Sequence, residues 1–217
     1  MVLPSWKRAF LVHHIAKNNL MIHSIPFTEY LSTVLWLIVL IRQFRQKYFY
    51  YFLFLIAGGL LTVIIRTYSI SNTNSIYVFA AFLRVVVIQD RNISKTTKTL
   101  LIISFLFICY LEFTGLYYKQ EFLLICILHF LIFFKFIQTF ILRLVKEKVI
   151  SLFLLCLFFY ELTLITKYFA LITDLRLGQI YLNLTTSFEI LFALFFCIFK
   201  QDSQKILIKL DNTLENI

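Results

Sequence analysis

Apolar runs of about twenty residues, separated by short polar connections, repeat along the whole chain. As a helix rising about 1.5 Å per residue, a run of that length covers the roughly 30 Å hydrocarbon core of a bilayer. Seven runs qualify, at about 25–41, 48–65, 71–88, 100–118, 121–142, 149–173 and 178–199. The pattern predicts an all-α, polytopic transmembrane helix bundle. The third run is the weakest of the seven. Its apolar part, IYVFAAFLRVVVI, is short and carries Arg84, so it needs the preceding SNTNS segment or a buried setting to complete a crossing. Six spans is the alternative.

Connections are short, and no linker, repeat or low-complexity segment interrupts the series. The chain therefore divides into a basic N-terminal segment (1–24), the seven-helix domain (25–199) and a tail (200–217). The first segment mixes Lys7, Arg8 and Lys17 with Trp6, Phe10, Leu11 and Ile15, and is too polar to span. It resembles a weak signal peptide but has no convincing apolar core or cleavage site, and two readings stay open for it: an interfacial helix, and an extension ahead of a true start at Met21. In the tail, Ile206, Leu207, Leu210 and Leu214 recur at helical spacing among Lys205, Lys209 and Asp211. That spacing predicts a short amphipathic helix on the inner membrane surface, in preference to one that docks a cytoplasmic partner.

Basic residues cluster after alternate runs: Arg42, Arg45 and Lys47 after the first, Arg91, Lys95 and Lys98 after the third, Arg143, Lys146 and Lys148 after the fifth, and Lys200, Lys205 and Lys209 after the seventh. The opposite connections hold Arg66, Lys119 and Arg176. This alternation is the positive-inside pattern, which places the N-terminus outside and the C-terminus in the cytoplasm. The basic N-terminal segment conflicts with an outside location, and a start near Met21 removes the conflict.

Composition supports the same class. Of 217 residues, 61% are hydrophobic and 26 are phenylalanine, more than a soluble core of this length can bury. The formal charge of +10 is accounted for by the orientation clusters. No basic stripe with interleaved aromatics tracks a phosphate backbone, so nucleic acid is not an expected partner. Cys109, Cys126, Cys156 and Cys197 fall in four different runs, without CxxC spacing, and read as small apolar residues.

Ionisable residues inside the runs carry the chemistry, because a charge facing lipid costs roughly 2.5–3.5 kcal/mol on insertion scales and must therefore turn inward. Counted from the inner end of each run, Glu29, Glu112, His129, Glu161 and Glu189 fall at one depth near the midplane, with Asn183 on the same stripe as Thr186 and Glu189. This polar layer is the candidate site for a ligand or a proton. Arg84 and Lys135 lie nearer the cytoplasmic side and Lys167 nearer the outer interface, where its ammonium is expected to reach water; all three are candidate charge partners. Glu161 and Glu189 sit on sequential runs and are expected to be neighbours, so at least one should be protonated or ion-paired. A Gln at 161 is then expected to preserve stability.

Several chemistries lack their residues. His129 has no ligand-type residue at helical spacing other than Cys126, and no Glu-x-x-His pair occurs, so no metal is expected. The seventh run has no lysine for a retinal Schiff base, and no phosphate-cradling glycine loop, Gly-x-Ser-x-Gly elbow or HExxH is present. No cofactor is expected, and the reading leans away from an enzyme. Few glycines and prolines interrupt the runs, which weakens the case for the broken helices of many transporters. The leading reading is a non-enzymatic module that senses or binds a small or lipidic ligand and passes its state to a cytoplasmic or membrane partner protein. A small transporter or proton-coupled permease using the glutamates ranks second, and an intramembrane lipid enzyme third.

The segments FYELTLITKYFALI and TTSFEILFALFF, which set Glu161 and Lys167 beside Glu189, resemble those of small seven-helix membrane proteins from AT-rich bacteria. The resemblance implies a bacterial inner-membrane location, and it carries over no activity and no site residue.

Overall fold

The apolar runs fold as helices, the local conformation that pairs backbone N–H and C=O groups within one segment where water is unavailable. The computed structural model describes residues 27–68, 74–89, 94–115, 118–173, 178–201, 203 and 206–209, apart from the side chains of 27–29, 66–68, 118, 178–180, 182, 183 and 209. Among the described residues the helices are α1 (Phe27–Arg42), α2 (Phe49–Tyr68), α3 (Asn74–Val87), α4 (Lys95–Thr114), α5 (Tyr118–Glu147), α6 (Leu152–Ile172) and α7 (Gly178–Ile198). Local chemistry sets several ends. Ser94 and Ser151 cap α4 and α6 by accepting from the backbone N–H of Thr97 and Leu154, and α4 stops at Gly115, whose φ of 80° suits a residue without a Cβ. The expected N-terminal segment lies outside the described residues.

Helix α1 packs on α2 and α7, α2 on α3, α3 on α5, α5 on α6 and α6 on α7, which closes a ring of six. Helix α4 rests lightly on α3 and buries only Ile108, so it lies outside that ring. The middle of the ring is aromatic. Trp36 lies 5.0 Å from Tyr160 and Phe153 5.0 Å from Phe196, centroid to centroid, and Phe52 packs on Phe196 at 5.3 Å. Large rings in tilted and edge-on contact fill a space that aliphatic side chains of six helices would leave loose. One close approach sets the α2–α3 spacing: a Cβ on Gly58 would stand 2.7 Å from the Cβ of Ala80. Small residues at such a crossing let two backbones approach, which is how helices associate when lipid removes the hydrophobic drive.

One end of the ring is stitched together by polar groups. Gln43, fully buried, donates from Nε2 to the carbonyls of Phe196 (2.9 Å) and Phe199 (2.8 Å), which satisfies acceptors that the end of α7 leaves open. Strand β1 (Val149–Ser151) pairs antiparallel with β2 (Leu207–Lys209), and Ile206 is buried beside it. The expected amphipathic helix in the tail is therefore corrected: residues 207–209 form a strand, because the α5–α6 connection offers an open edge that they pair with. Residues 210–217 lie outside the described residues.

Three helices, Lys95–Thr114, Lys119–Glu147 and Leu152–Ile172, are long and apolar enough to cross a membrane. Large apolar side chains also cover the outside of the bundle, among them Phe113, 92% exposed, and Ile102, Phe107 and Phe134. A chain whose described residues are overwhelmingly helical and carry that surface is a membrane protein, since water would not tolerate patches so extensive. The third run forms a helix of only 14 residues, about 21 Å long. Its short length is accommodated by position: α3 sits between α2 and α5 with Asn74, Val78, Ala81, Arg84 and Val85 buried.

Candidate functional site

Glu161 projects from the stripe of α6 that also buries Leu154, Leu157, Leu164 and Ile165, and it has no exposed surface. Three other helices supply its partners. Tyr51 of α2 donates its hydroxyl to Oε1, and His129 of α5 places Nδ1 2.5 Å from Oε2. Arg84 of α3 sets Nη1 3.6 Å from Oε1, and its Nη2 lies 3.2 Å from Nε2 of His129. Arg84 and His129 are 4% and 1% exposed, so the whole set is shielded from solvent.

Donor and acceptor logic fixes the protons. A guanidinium has only donors, so Nε2 of His129 accepts from Arg84 and the ring proton sits on Nδ1, where it is donated to Glu161. The histidine is then neutral, and the Arg84 cation and Glu161 anion compensate each other. Packing holds this arrangement in place. The Arg84 guanidinium carbon lies 5.8 Å from the centre of the Tyr51 ring, Arg84 Nε donates to the Ala80 carbonyl, and the His129 ring stacks on Tyr168 at 5.4 Å. Ala80 is one turn before Arg84 and also makes the close contact with Gly58, so the α2–α3 approach delivers the guanidinium to Glu161. Nη1 of Arg84 is buried and makes no hydrogen bond, being too far from Oε1 for one.

The other expected site residues are distributed differently. Glu189 of α7 pairs with Lys167 of α6 at 2.7 Å, separately from the Glu161 set. Lys167 is 23% exposed and its ammonium is turned to that carboxylate, so it serves as a charge partner to Glu189. Arg84 was placed nearer the cytoplasmic side by counting residues, yet its long side chain enters the same layer as Glu161. Glu112 is corrected in depth. Helix α4 ends at Thr114, which puts Glu112 in its last turn, where Oε2 accepts from Ser75 at 2.5 Å. There it belongs to a second polar group, at the start of α3 and α5, in which Asn74 donates to Glu121 at 2.8 Å. Lys135 is half-buried on α5, and its carbonyl accepts from Thr139. The side chains of Glu29 and Asn183 lie outside the described residues.

Tyr51, Gln43 and Glu121 were not among the expected site residues. The sequence signal for Glu121 was available, a carboxylate next to an apolar run, but it reads as the polar boundary of that run. Tyr51 is one of three tyrosines in the five consecutive aromatics YFYYF, and nothing local separates the one that reaches Glu161. The four cysteines are free. Among the described residues no group of three His, Cys, Asp or Glu could hold a metal ion. Comparison with family models, with curated proteins and with solved structures yields no match for this chain.

Proposed function

We propose that this chain is a multi-pass helix bundle, seven spans with a cytoplasmic C-terminus, that acts as a sensing module through the Tyr51–Arg84–His129–Glu161 set. The observation that carries the reading is the set itself: an ionised carboxylate without exposed surface, compensated by side chains from three other helices. An ionisable residue inside a bundle marks a functional site by default, and a buried ion pair contributes little net stability over well-packed apolar residues. What the set supplies is coupling, because four helices share one charge balance. An input that alters that balance, a proton or a small ligand competing for Glu161, biases the arrangement of all four, and the change passes to a partner protein. The orientation is supported by the end that carries Gln43, β1 and β2. That end gathers the connections after α1, α5 and α7, with Arg42, Arg45, Lys47, Arg143, Lys146, Lys148 and Lys200, as the positive-inside pattern requires.

The proton is the simplest probe. Acid places a proton on Nε2 of His129, which turns a donor toward the Arg84 guanidinium, and removes the anion at Glu161. Trp36, packed on Tyr160 beside Glu161, reports the response. In a Trp6→Phe background, acidification should shift Trp36 emission reversibly, and the shift should vanish when Arg84→Met and Glu161→Gln are introduced together. A shift that survives the paired substitution refutes the reading. Proton flux into sealed proteoliposomes would assign the same residues to a permease.

A further inference from the structure

Where α1 and α7 end side by side, a cleft of about 310 Å³ opens, lined among the described residues by Arg42, Gln46, Ile198, Lys200 and Ser203. That volume is at the small end of ligand sites, enough for a polar head but not for a whole lipid. Its described lining holds two cations and no acid. Arg42 reaches the Ile198 carbonyl from Nη2 at 3.5 Å, which tethers its guanidinium across the cleft while leaving most of its N–H groups uncommitted. Lys200 is the second residue after the α7 end, and Ser203 follows it in a turn in which its N–H bonds to the Lys200 carbonyl. On the wall, the Oε1 of Gln46 is buried and makes no hydrogen bond. It needs a donor, and the cations need an anion.

Ile198 of the cleft lining is exposed, and so is Ile41, the residue before Arg42 at the end of α1. We propose that this cleft binds the head of an anionic glycerophospholipid that bears both a phosphate and a free hydroxyl. The phosphate sits between Arg42 and Lys200, the head hydroxyl donates to Gln46 Oε1, and the acyl chains run down the Ile41 and Ile198 faces. Guanidinium and ammonium together suit a phosphate, since the first offers a planar fork and the second a point charge. Basic clefts between helix ends at the membrane boundary recognise phospholipid heads by this chemistry. The site is remote from Glu161 and independent of the sensing reading; it requires only that the bundle sits in a bilayer.

The test uses the full-length protein purified in a neutral maltoside detergent. Phosphatidylglycerol, phosphatidylcholine, sn-glycerol 3-phosphate and inorganic phosphate are titrated separately, with binding read by native mass spectrometry. Phosphatidylglycerol should bind in preference to phosphatidylcholine, and Arg42→Gln and Lys200→Gln should each weaken it by about fivefold. Lys200 is exposed and makes no described packing contact, so that variant keeps the measurement valid if Arg42→Gln destabilises the chain. Lys95→Gln, which removes an exposed cation elsewhere, should leave binding unchanged. Equal binding of sn-glycerol 3-phosphate would keep the phosphate site and make its source a soluble ester. Equal binding of phosphatidylglycerol and phosphatidylcholine, or losses as large with Lys95→Gln, would overturn the proposal. Neither result bears on the acid response of Trp36, so the two readings fail separately.

Discussion

Replacing Glu161 or Arg84 alone should damage the fold far more than replacing both. Glu161→Gln keeps the size of the side chain but leaves the Arg84 cation, 4% exposed, without its counter-charge. The amide has one acceptor where the carboxylate had two: with its oxygen toward His129 its NH2 faces the Tyr51 hydroxyl and the Arg84 guanidinium, and with its NH2 toward His129 it meets Nδ1–H. If the ring changes tautomer to accept, its new Nε2–H meets the Arg84 donor 3.2 Å away, so the conflict moves without being resolved. At 3.6 Å and an effective dielectric of about 20, the lost attraction is about 4–5 kcal/mol, in line with the roughly 3–5 kcal/mol that follows loss of one member of a buried pair. Arg84→Met leaves the carboxylate two hydrogen bonds but no compensating charge, and should cost a similar amount. With both replaced, no buried charge is left over and His129 is free to take either tautomer. The double variant should lie within about 2 kcal/mol of the parent, giving a coupling of at least about 4 kcal/mol. Reversible unfolding in mixed dodecyl sulfate and maltoside micelles, followed by circular dichroism, measures all four species. The reasoning fails if the double variant loses as much as the two single losses added together. It fails also if Glu161→Gln is as stable as the parent, the outcome the sequence alone suggests for a neutral acid.

Two further expectations test the packing around the set. Gly58→Ala puts a methyl 2.7 Å from Ala80 Cβ, and reaching ordinary contact at 3.4 Å requires α2 and α3 to part by about 0.7 Å; the loss should be about 1–3 kcal/mol, and adding Ala80→Gly should recover most of it, as thermal melting would show. No recovery would mean that the close approach does not set the spacing. Ile150 and Ile208 face each other across β1 and β2, so Ile150→Cys and Ile208→Cys together should form a disulfide under mild oxidation, visible as a gel shift lost on reduction. Absence of the crosslink would favour the helical reading of the tail.

Helix existence was legible in the sequence because it is a one-dimensional property. A run of apolar residues is apolar wherever its neighbours lie, and without water its backbone has one local solution. The seven described helices accordingly fall on the seven runs, and Glu161 and Arg84 read as inward-facing from cost alone. Counting along a run was less secure where its end was set by a single residue: Gly115 stops α4, and Glu112 changes from a midplane residue to a terminal one.

Pairing is a property of which helix meets which, and that was decided only in three dimensions. Glu161 finds His129 32 positions away and Tyr51 110 positions away, and no periodicity encodes such separations. The link runs through packing: Gly58 admits Ala80, Ala80 positions Arg84, and the guanidinium reaches a carboxylate on a helix two places further round the ring. Gln43 shows the same division. Between Arg42 and Arg45 it looks like part of a solvated basic connection, yet it is buried, because the carbonyls at the end of α7 need donors and the fold brings them to it. The tail departs from its pattern for the same reason. Its helical spacing is real, but the open backbone edge of β1 supplies hydrogen bonds to residues 207–209 that an isolated short helix could not match. The sequence thus determined which long apolar segments are helical and that an ionisable residue in the middle of one, such as Glu161, turns inward, since both follow from the cost of exposing a group to lipid. Tertiary structure alone decided their partners, since a buried charge accepts any compensating group that packing brings within reach.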